Sequence, residues 1–201
     1  RRALVALAER FGFLILEDDP YGLLRFEGEH LPSIESIGGT DRVIFTSSFS
    51  KTVAPGLRVG YIVAPAEVAN GLVAAASRTY ISPSLLAQAA IHQIIANGQF
   101  EPNVARVTAL MRERRDAMAE GLRHLPEGTV CHPPQGGFFL GLELPEPLSA
   151  DALFADAQAA GVQYVKGSDC FVEGGARTLR LAYSGVSPAE IAEGMERLGG
   201  V

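Results

Sequence analysis

Apolar residues recur along the chain with two different spacings. Up to Phe11 they follow a helical period that stops at Gly12, which predicts an amphipathic first helix. Uninterrupted apolar runs then predict short strands, at 13–16, 42–48 and 60–64. Because strands without alternation are usually covered on both faces, we expect these three to be buried in an α/β sheet.

Helical spacing dominates the middle of the chain. It predicts helices at 66–76, 84–97 and about 104–125. In the longest of these, the apolar residues make one stripe and the arginines fall largely elsewhere, so we interpret the arginines as a solvated face: Arg112, Arg114, Arg115 and Arg123. This long helix is the natural joint between two parts of the chain.

The pattern changes after Pro126. Three more strands are predicted, at 137–144, 162–165 and 178–183. Ser149 can cap a helix between the first two of them. Ser187, Pro188 and Glu190 form the signature of a capping box with proline at the first helical position, which predicts a final helix. These elements predict a separate α+β unit.

Composition and charge narrow the classes of partner. The chain has 47% hydrophobic and 20% charged residues, which is typical of a globular protein and argues against disorder. A formal net charge of -6 disfavours a nucleic-acid surface, because phosphate binding needs a clustered basic face. No apolar stretch approaches the roughly 18 residues that a membrane span requires. We therefore expect small-molecule partners, with no nucleic acid and no membrane.

The cysteines and histidines carry no metal-site signature. Cys131 and Cys170 lie far apart, with no CxxC or Cys/His ligand spacing, so neither a disulfide scaffold nor a zinc site is indicated. The four histidines also lack ligand spacing. We expect no metal, and a reducing cytoplasmic location fits best.

The segment TSSFSKTVAPGLRVGY places Lys51 directly after a predicted strand. A partly desolvated lysine loses its proton more easily, which Schiff-base chemistry with an aldehyde requires. Ser48 and Ser50 offer hydroxyls and Arg58 a forked guanidinium, which together could bind a phosphate. The alternative is a surface loop lysine flanked by turn residues. The segment is not a Walker P-loop, because the GxxxxGK[ST] order is absent.

A second segment, LEDDPYGLLRF, follows the first predicted strand. The end of a strand is where an α/β sheet presents ligand groups, and Asp18 and Tyr21 lie three residues apart there. A carboxylate could hold a ring nitrogen protonated, and a phenol could hydrogen-bond to a ring oxygen. A metal site, a helix cap or a solvated turn would explain the acids equally well. We expect Glu17 and Asp19 to have such structural roles.

A third segment, TLRLAYS, carries Arg180 between two leucines of a predicted strand. A charged side chain there needs a partner, and a substrate carboxylate gripped by two parallel hydrogen bonds is one candidate. An exposed strand arginine or an internal salt bridge is the alternative. Lys166, which precedes Gly167, is interpreted as a surface lysine.

Taken in order, EDDPYGLLRF, SSFSKTVAPGLRVGY, PQGGFFLGLELP and TLRLAYS resemble the class I/II aminotransferases of pyridoxal 5'-phosphate (PLP) fold type I. The similarity is strongest to the 2-aminoadipate and kynurenine aminotransferase subgroup, and it covers nearly the whole chain. The resemblance implies a partial fold of aspartate aminotransferase type. Residues 1–102 would be the C-terminal part of the large PLP-binding domain, and 103–201 the linking helix and small C-terminal domain.

The resemblance also implies a role for each candidate residue. Lys51 would hold PLP as a Schiff base and then move a proton, Asp18 would pair with the pyridine nitrogen, and Tyr21 with the ring oxygen. The phosphate would be bound by Ser48, Ser50 and Arg58, and the substrate carboxylate by Arg180. The implied reaction is a two-stage amino transfer between an amino acid and a 2-oxo acid, with 2-oxoglutarate the expected acceptor, in a homodimer.

The chain departs from the family pattern in what it lacks. Family members carry a glycine-rich phosphate-binding turn, an aromatic residue stacked on the cofactor and an NP-G type asparagine motif in an upstream half, and none of these is in the sequence. We therefore expect a C-terminal half with little activity alone. An alternative shares the pattern: regulators of the MocR type, in which an aminotransferase-like domain follows a DNA-binding domain and senses ligands.

Overall fold

The computed structural model describes residues 1–38 and 41–201. The chain divides into two compact units, Arg1–Val107 and Thr108–Val201. The helices of the first unit are α1 (Arg2–Phe11), α2 (Ile34–Gly38), α3 (Ala66–Thr79) and α4 (Leu85–Ala96), and α5 (Phe100–Glu120) begins in it and ends in the second. The second unit adds α6 (Ala150–Ala159) and α7 (Pro188–Gly199).

The first unit contains a three-stranded mixed sheet. Its strands lie side by side in chain order, with the first pair parallel and the second antiparallel: β1 (Ile15–Asp18), β2 (Val43–Ser48) and β3 (Gly60–Val63). One face of the sheet packs into a small core in which Ile15 and Val43 meet Ala8 of α1, with Ile34 of α2 against them. Two short helices thus cover one side of the sheet.

The other face of this sheet is not covered by the described part of the first unit. Along β1 burial alternates, and the side chain of Leu16 is 69% exposed. All four residues of β3 are exposed, with Ile62 at 53%. The expectation that the strands are buried on both faces is therefore wrong within this chain. A continuous apolar run indicates that a strand can be buried on both faces, but it does not show whether other elements cover both faces.

The second unit contains a four-stranded antiparallel sheet. Its spatial order is β4-β5-β7-β6, formed by β4 (Val130–Cys131), β5 (Phe139–Glu143), β6 (Val165–Lys166) and β7 (Thr178–Ala182). Alternate residues of the two central strands point into a core with the helices, and the buried members include Leu140, Leu142, Leu179, Leu181, Ile191 and Met195. The predicted α+β unit is confirmed, although β4 was not predicted and β6 is short.

Local sequence signals set the helix ends in the second unit. The Ser149 hydroxyl accepts the Ala152 N–H and starts α6. At α7, the Ser187 hydroxyl accepts the Glu190 N–H, and the Glu190 carboxylate accepts the Ser187 N–H at 2.7 Å, so the predicted capping box is complete. Both caps involve residues within three positions of each other, which is why the sequence alone reveals them.

The long helix α5 differs from its prediction in two ways. It starts at Phe100, four residues earlier than predicted, and passes into a 3-10 turn after Glu120. Its arginines are not all on a solvated face. Arg115 is only 4% exposed and donates to the Asp116 carboxylate and to the Pro134 carbonyl, and Arg114 donates to the Ser184 carbonyl. Guanidinium groups that find such acceptors can be buried, which helical periodicity does not reveal.

Candidate functional site

Two of the three consecutive acids at the end of β1 have structural roles. The buried carboxylate of Glu17 accepts the backbone N–H of Ile34 at 2.8 Å and that of Glu35 at 3.2 Å, so it caps the start of α2. The Asp19 carboxylate accepts the Gly22 N–H at 2.6 Å and closes the following turn. The expectation of structural roles for these two acids is confirmed.

Asp18 lies between them and points to the opposite, uncovered face of the sheet. Its carboxylate accepts a hydrogen bond of 2.8 Å from the Thr46 hydroxyl, its directly paired neighbour on the parallel strand β2. This bond fixes the carboxylate but leaves further acceptor sites on its oxygens. Sequence reasoning missed Thr46, because the register that pairs it with Asp18 joins residues far apart in the chain.

The side chains of Lys51 and Tyr21 contact each other. The Lys51 Nζ lies 5.6 Å from the centroid of the Tyr21 ring, and both side chains are half-buried. A cation over an aromatic face is attracted by the ring quadrupole, so this contact holds the amine over the turn that follows β1. The structure thus brings together two residues that lie in separate sequence motifs.

The loop from 49 to 59 carries the lysine and is anchored at both ends. The Phe49 N–H donates to the Val59 carbonyl at 3.0 Å, which closes the loop just beyond the last pair of β2 and β3. The Phe49 carbonyl accepts the Val53 N–H at 2.8 Å, so Ser50 and Lys51 lie on one tight turn. These backbone hydrogen bonds restrict the positions that the Lys51 amine can take.

The same loop also contacts the first turn of α5 at two places. The Asn103 side-chain amide donates to the carbonyl of buried Thr52 at 2.6 Å. The Phe49 ring packs edge-on against Phe100 at 5.8 Å between centroids, and also lies against Tyr61. Asn103 and Phe49 were not identified from the sequence, because their contribution is to position the loop and not to carry chemistry.

The three residues predicted to bind a phosphate lie at the two ends of this loop. In the part of the chain that the structure describes, the hydroxyls of Ser48 and Ser50 and the exposed guanidinium of Arg58 have no hydrogen-bond or ion-pair partner. Arg58 has a left-handed backbone, with φ 53°, which is unusual for a residue other than glycine and concentrates at functional sites. A doubly charged anion is the type of ligand that suits this donor set.

Arg180 lies in the second unit, on β7. It is exposed, and its Cζ lies 4.5 Å from the centroid of the Phe139 ring. Among residues 1–38 and 41–201, no carboxylate pairs with it, so the alternative of an internal salt bridge is excluded for the described chain. Lys166, by contrast, lies 3.8 Å from the Asp169 carboxylate and over the Phe154 ring.

The first unit therefore assembles six of the seven predicted residues around one sheet edge and one loop. They provide an amine, an aromatic face, an oriented carboxylate and anion donors, and this set fits an aldehyde cofactor with a ring nitrogen and a phosphate. Across the described residues no His, Cys, Asp and Glu cluster could hold a metal ion, and no helix has the length and apolar character of a membrane span.

Comparison with models of known protein families shows which family the chain belongs to. Residues 2–198 match the family model described as aminotransferase class I and II. The chain belongs to this family. The predicted membership, which rested on the order of four short motifs, is confirmed.

Relatives of this aminotransferase-family chain include the 2-aminoadipate transaminase of Thermus thermophilus, with 37% identity over 99% of this chain and 51% of the relative. Among solved structures, LysN, an α-aminoadipate aminotransferase from Thermus thermophilus complexed with N-(5'-phosphopyridoxyl)-L-leucine, superimposes with a TM-score of 0.92. It is 36% identical, over 99% of this chain and 52% of that chain. The predicted partial aminotransferase fold is confirmed.

A regulator is also among the relatives. The probable rhizopine catabolism regulatory protein MocR of Rhizobium meliloti is 32% identical over 98% of this chain and 41% of its own length. The chain thus spans about half the length of the enzymes it matches, and less of the regulator.

Proposed function

We propose that the protein is a PLP-dependent aminotransferase that moves an amino group between an α-amino acid and a 2-oxo acid, with 2-oxoglutarate the expected acceptor. The observation that carries the proposal is the Lys51 amine over the ring of Tyr21, which lies three residues after Asp18, in a chain of the aminotransferase family. PLP, when bound, supplies an electron sink for the negative charge that develops at the substrate Cα. The phosphopyridoxyl amino acid in LysN supports this choice of cofactor.

Lys51 has two tasks in this proposal. Its amine would hold the cofactor aldehyde covalently, and once free it would remove the proton from the substrate Cα and deliver it to the C4′ carbon of the cofactor. The anchored loop supports both tasks, because an amine held in one place by Phe49 and Thr52 contacts can reach the same proton in each cycle.

Asp18 and Tyr21 act on the cofactor ring. The Asp18 carboxylate would pair with the ring nitrogen and keep it protonated, and the hydrogen bond from the Thr46 hydroxyl supports this role because it already fixes one carboxylate oxygen. The phenol of Tyr21 would donate a hydrogen bond to the ring oxygen. Anion binding is assigned to the donors around the 49–59 loop, Ser48, Ser50 and Arg58.

Arg180 is proposed to bind the substrate α-carboxylate through two parallel hydrogen bonds. Its exposure and the absence of a carboxylate partner in the described chain support this role. We further propose the domain division at 102 and 103, a homodimeric assembly, a place in amino-acid metabolism and a cytoplasmic location. The last agrees with two free cysteines, Cys131 and Cys170.

The chain offers a sharp test, because Lys51 and Lys166 are its only two lysines. The full-length protein is incubated with PLP, any imine is reduced with borohydride, and the labelled peptide of this region is identified by mass. We expect the pyridoxyl group on Lys51 and not on Lys166. The Lys51→Arg variant should lose the label and transamination, whereas Lys166→Arg should keep both.

Equal labelling of the two lysines, or labelling that survives in Lys51→Arg, would contradict the assignment. Transamination itself is measured as formation of a 2-oxo acid from an amino acid with 2-oxoglutarate. A Lys51→Arg protein with undiminished turnover would exclude the proposed chemistry.

A ligand-sensing regulator is the second candidate, because the similarity to MocR covers the same residues. Both candidates predict a label on Lys51, so labelling does not separate them. Turnover and DNA binding of the full-length protein do. An enzyme turns over many equivalents of amino acid and shows no sequence-specific DNA binding, whereas a regulator shows the reverse.

A further inference from the structure

Arg180 makes one marked contact, and it is with an aromatic ring. The guanidinium Cζ lies 4.5 Å from the centroid of the Phe139 ring, within the range of a cation–π interaction. Phe139 is half-buried and Arg180 is exposed. In the part of the chain that the structure describes, no carboxylate competes with the ring for this guanidinium. The ring is therefore the main feature that restricts the direction of the arginine side chain.

The strand register explains why Arg180 leans over this ring. Its direct partner on β5 is Gly141, which has no side chain, and a Cβ built there would meet nothing within 4 Å. Phe139 pairs directly with Ala182, so it is the diagonal neighbour of Arg180 on the same face. Diagonal neighbours are within reach of aromatic and long side chains. On its other side Arg180 pairs with Val165 of β6, which offers no aromatic face, so the open space over Gly141 and the diagonal ring favour the observed direction of the arginine over Phe139.

The ring itself is held by the backbone on which it lies. Tyr183, which is fully buried, donates its hydroxyl proton to the Gly137 carbonyl at 2.8 Å, and its N–H donates to the Phe138 carbonyl at 3.0 Å. These two bonds fix the chain immediately before Phe139. Burial raises the pKa of Tyr183 to about 12, so the phenol keeps its proton at every pH at which the protein would work.

We propose that Phe139 is a positioning residue for Arg180 and, resting on the proposed function, a determinant of α-carboxylate recognition. The N–H groups of a guanidinium lie in its plane and point away from its edges. A ring that covers one face can leave these edges open for a carboxylate while it excludes most other side-chain directions. The carboxylate then binds an arginine that has little conformational freedom left to lose.

The test uses the full-length enzyme with PLP bound and compares Phe139→Met with Phe139→Tyr. Methionine keeps much of the volume but removes the aromatic face, whereas tyrosine keeps the face. We expect Phe139→Met to raise KM for the amino acid and the inhibition constant of propionate by roughly three- to thirtyfold, and to raise both far more than it lowers kcat. In Phe139→Tyr, KM and the inhibition constant should both stay within about twofold of the wild-type values.

Arg180→Leu is the reference variant, and thermal melting shows that each protein is folded. If Arg180→Leu raises both constants and Phe139→Met raises neither, the inference about Phe139 is wrong and the proposed function stands. If Phe139→Met lowers kcat and stability with KM unchanged, the residue has only a structural role and the inference is again wrong. If the wild type shows no transamination, the proposed function is wrong, and propionate binding measured by calorimetry in the same variants still decides whether Phe139 positions Arg180.

Discussion

At the scale of single residues, the three adjacent acids at 17–19 have different structural surroundings at the end of β1. Side chains alternate across a strand, so Glu17 faces α2 and caps it, whereas Asp18 faces the opposite side. Asp19 lies past the strand and closes a turn. Neighbouring carboxylates thus have different surroundings, and Asp18 is the one of the three that lies on the open face of the sheet with acceptor sites left for a ligand.

We predict that Thr46→Val weakens catalysis through Asp18. Valine has nearly the shape of threonine but cannot donate, so the Asp18 carboxylate loses its 2.8 Å hydrogen bond. Loss of a hydrogen bond to a charged group is worth about 1.5 to 3 kcal/mol, which corresponds to a decrease of roughly ten- to hundredfold in kcat/KM if the bond is needed for orientation. Steady-state kinetics of the full-length enzyme measures this decrease in kcat/KM.

Thr46→Ser is the matched control, because serine keeps the donor. It should stay within about threefold of the wild type. Wild-type kinetics and unchanged PLP affinity in Thr46→Val would show that Asp18 needs no support from β2.

At the scale of helices and strands, features set by neighbouring residues could be predicted from the sequence, and features set by tertiary packing could not. The caps of α6 and α7 follow from residues within a few positions of each other, and the sequence predicted them, together with the longer helices and all strands except β4; the short helix α2 was not predicted. Whether both faces of β1 to β3 are covered depends on layers elsewhere, so periodicity could not predict it. The burial of Arg115 depends on a carbonyl nineteen residues away and was equally inaccessible.

The candidate site divides in the same way. Seven residues were predicted from motif order and resemblance, because each lies within a short recognisable segment. Their roles stay predictions that the experiments above address. The supporting residues Thr46, Asn103 and Phe139 were not predicted, because strand register or tertiary packing brings each to its partner.

The capping box of α7 predicts a pH dependence of stability. Hydrogen bonds from the Ser187 N–H and hydroxyl lower the pKa of the Glu190 carboxyl below its ordinary value of 4.5, and the charge of Arg114 adds to this. The unfolded chain therefore binds more protons in the acidic range. The contribution of Glu190 to the free energy of unfolding is fully present well above pH 4.5 and is lost as the pH falls through the lowered pKa.

We expect Glu190→Gln to be less stable than the wild type at neutral pH, with a difference that shrinks progressively at pH values below 4.5. Denaturant unfolding of both proteins at a series of pH values measures this difference in the free energy of unfolding. Glu196→Gln, an exposed glutamate on the same helix, is the control and should show a much smaller pH-dependent difference. A difference for Glu190→Gln that does not change with pH would contradict the role of the carboxylate in the cap.

At the scale of the whole molecule, the chain has two units with separate sheets, and one of the sheets is covered on a single face. The uncovered face carries Leu16, Asp18 and Ile62, so the candidate cofactor residues share it with exposed apolar side chains. The chain also spans about half the length of its enzyme relatives. An exposed apolar face of this kind is suited to packing against further protein.

We therefore predict that residues 1–201 expressed alone transaminate at a rate at least about a hundredfold below that of the full-length protein, because water reaches the face on which the cofactor ring would lie. Parallel assays at equal concentration and saturating PLP measure the ratio. Comparable rates would show that the residues in this chain suffice for the site.

The left-handed backbone at Arg58 has a consequence for sequences related to this one. A residue with a Cβ costs about 1 kcal/mol or more in that conformation, whereas glycine adopts it freely. A chain under selection for folding alone would drift to glycine at this position. If Arg58 binds an anion as proposed, we expect relatives that keep the anion site to keep an arginine here, and relatives that keep only the fold to tolerate glycine.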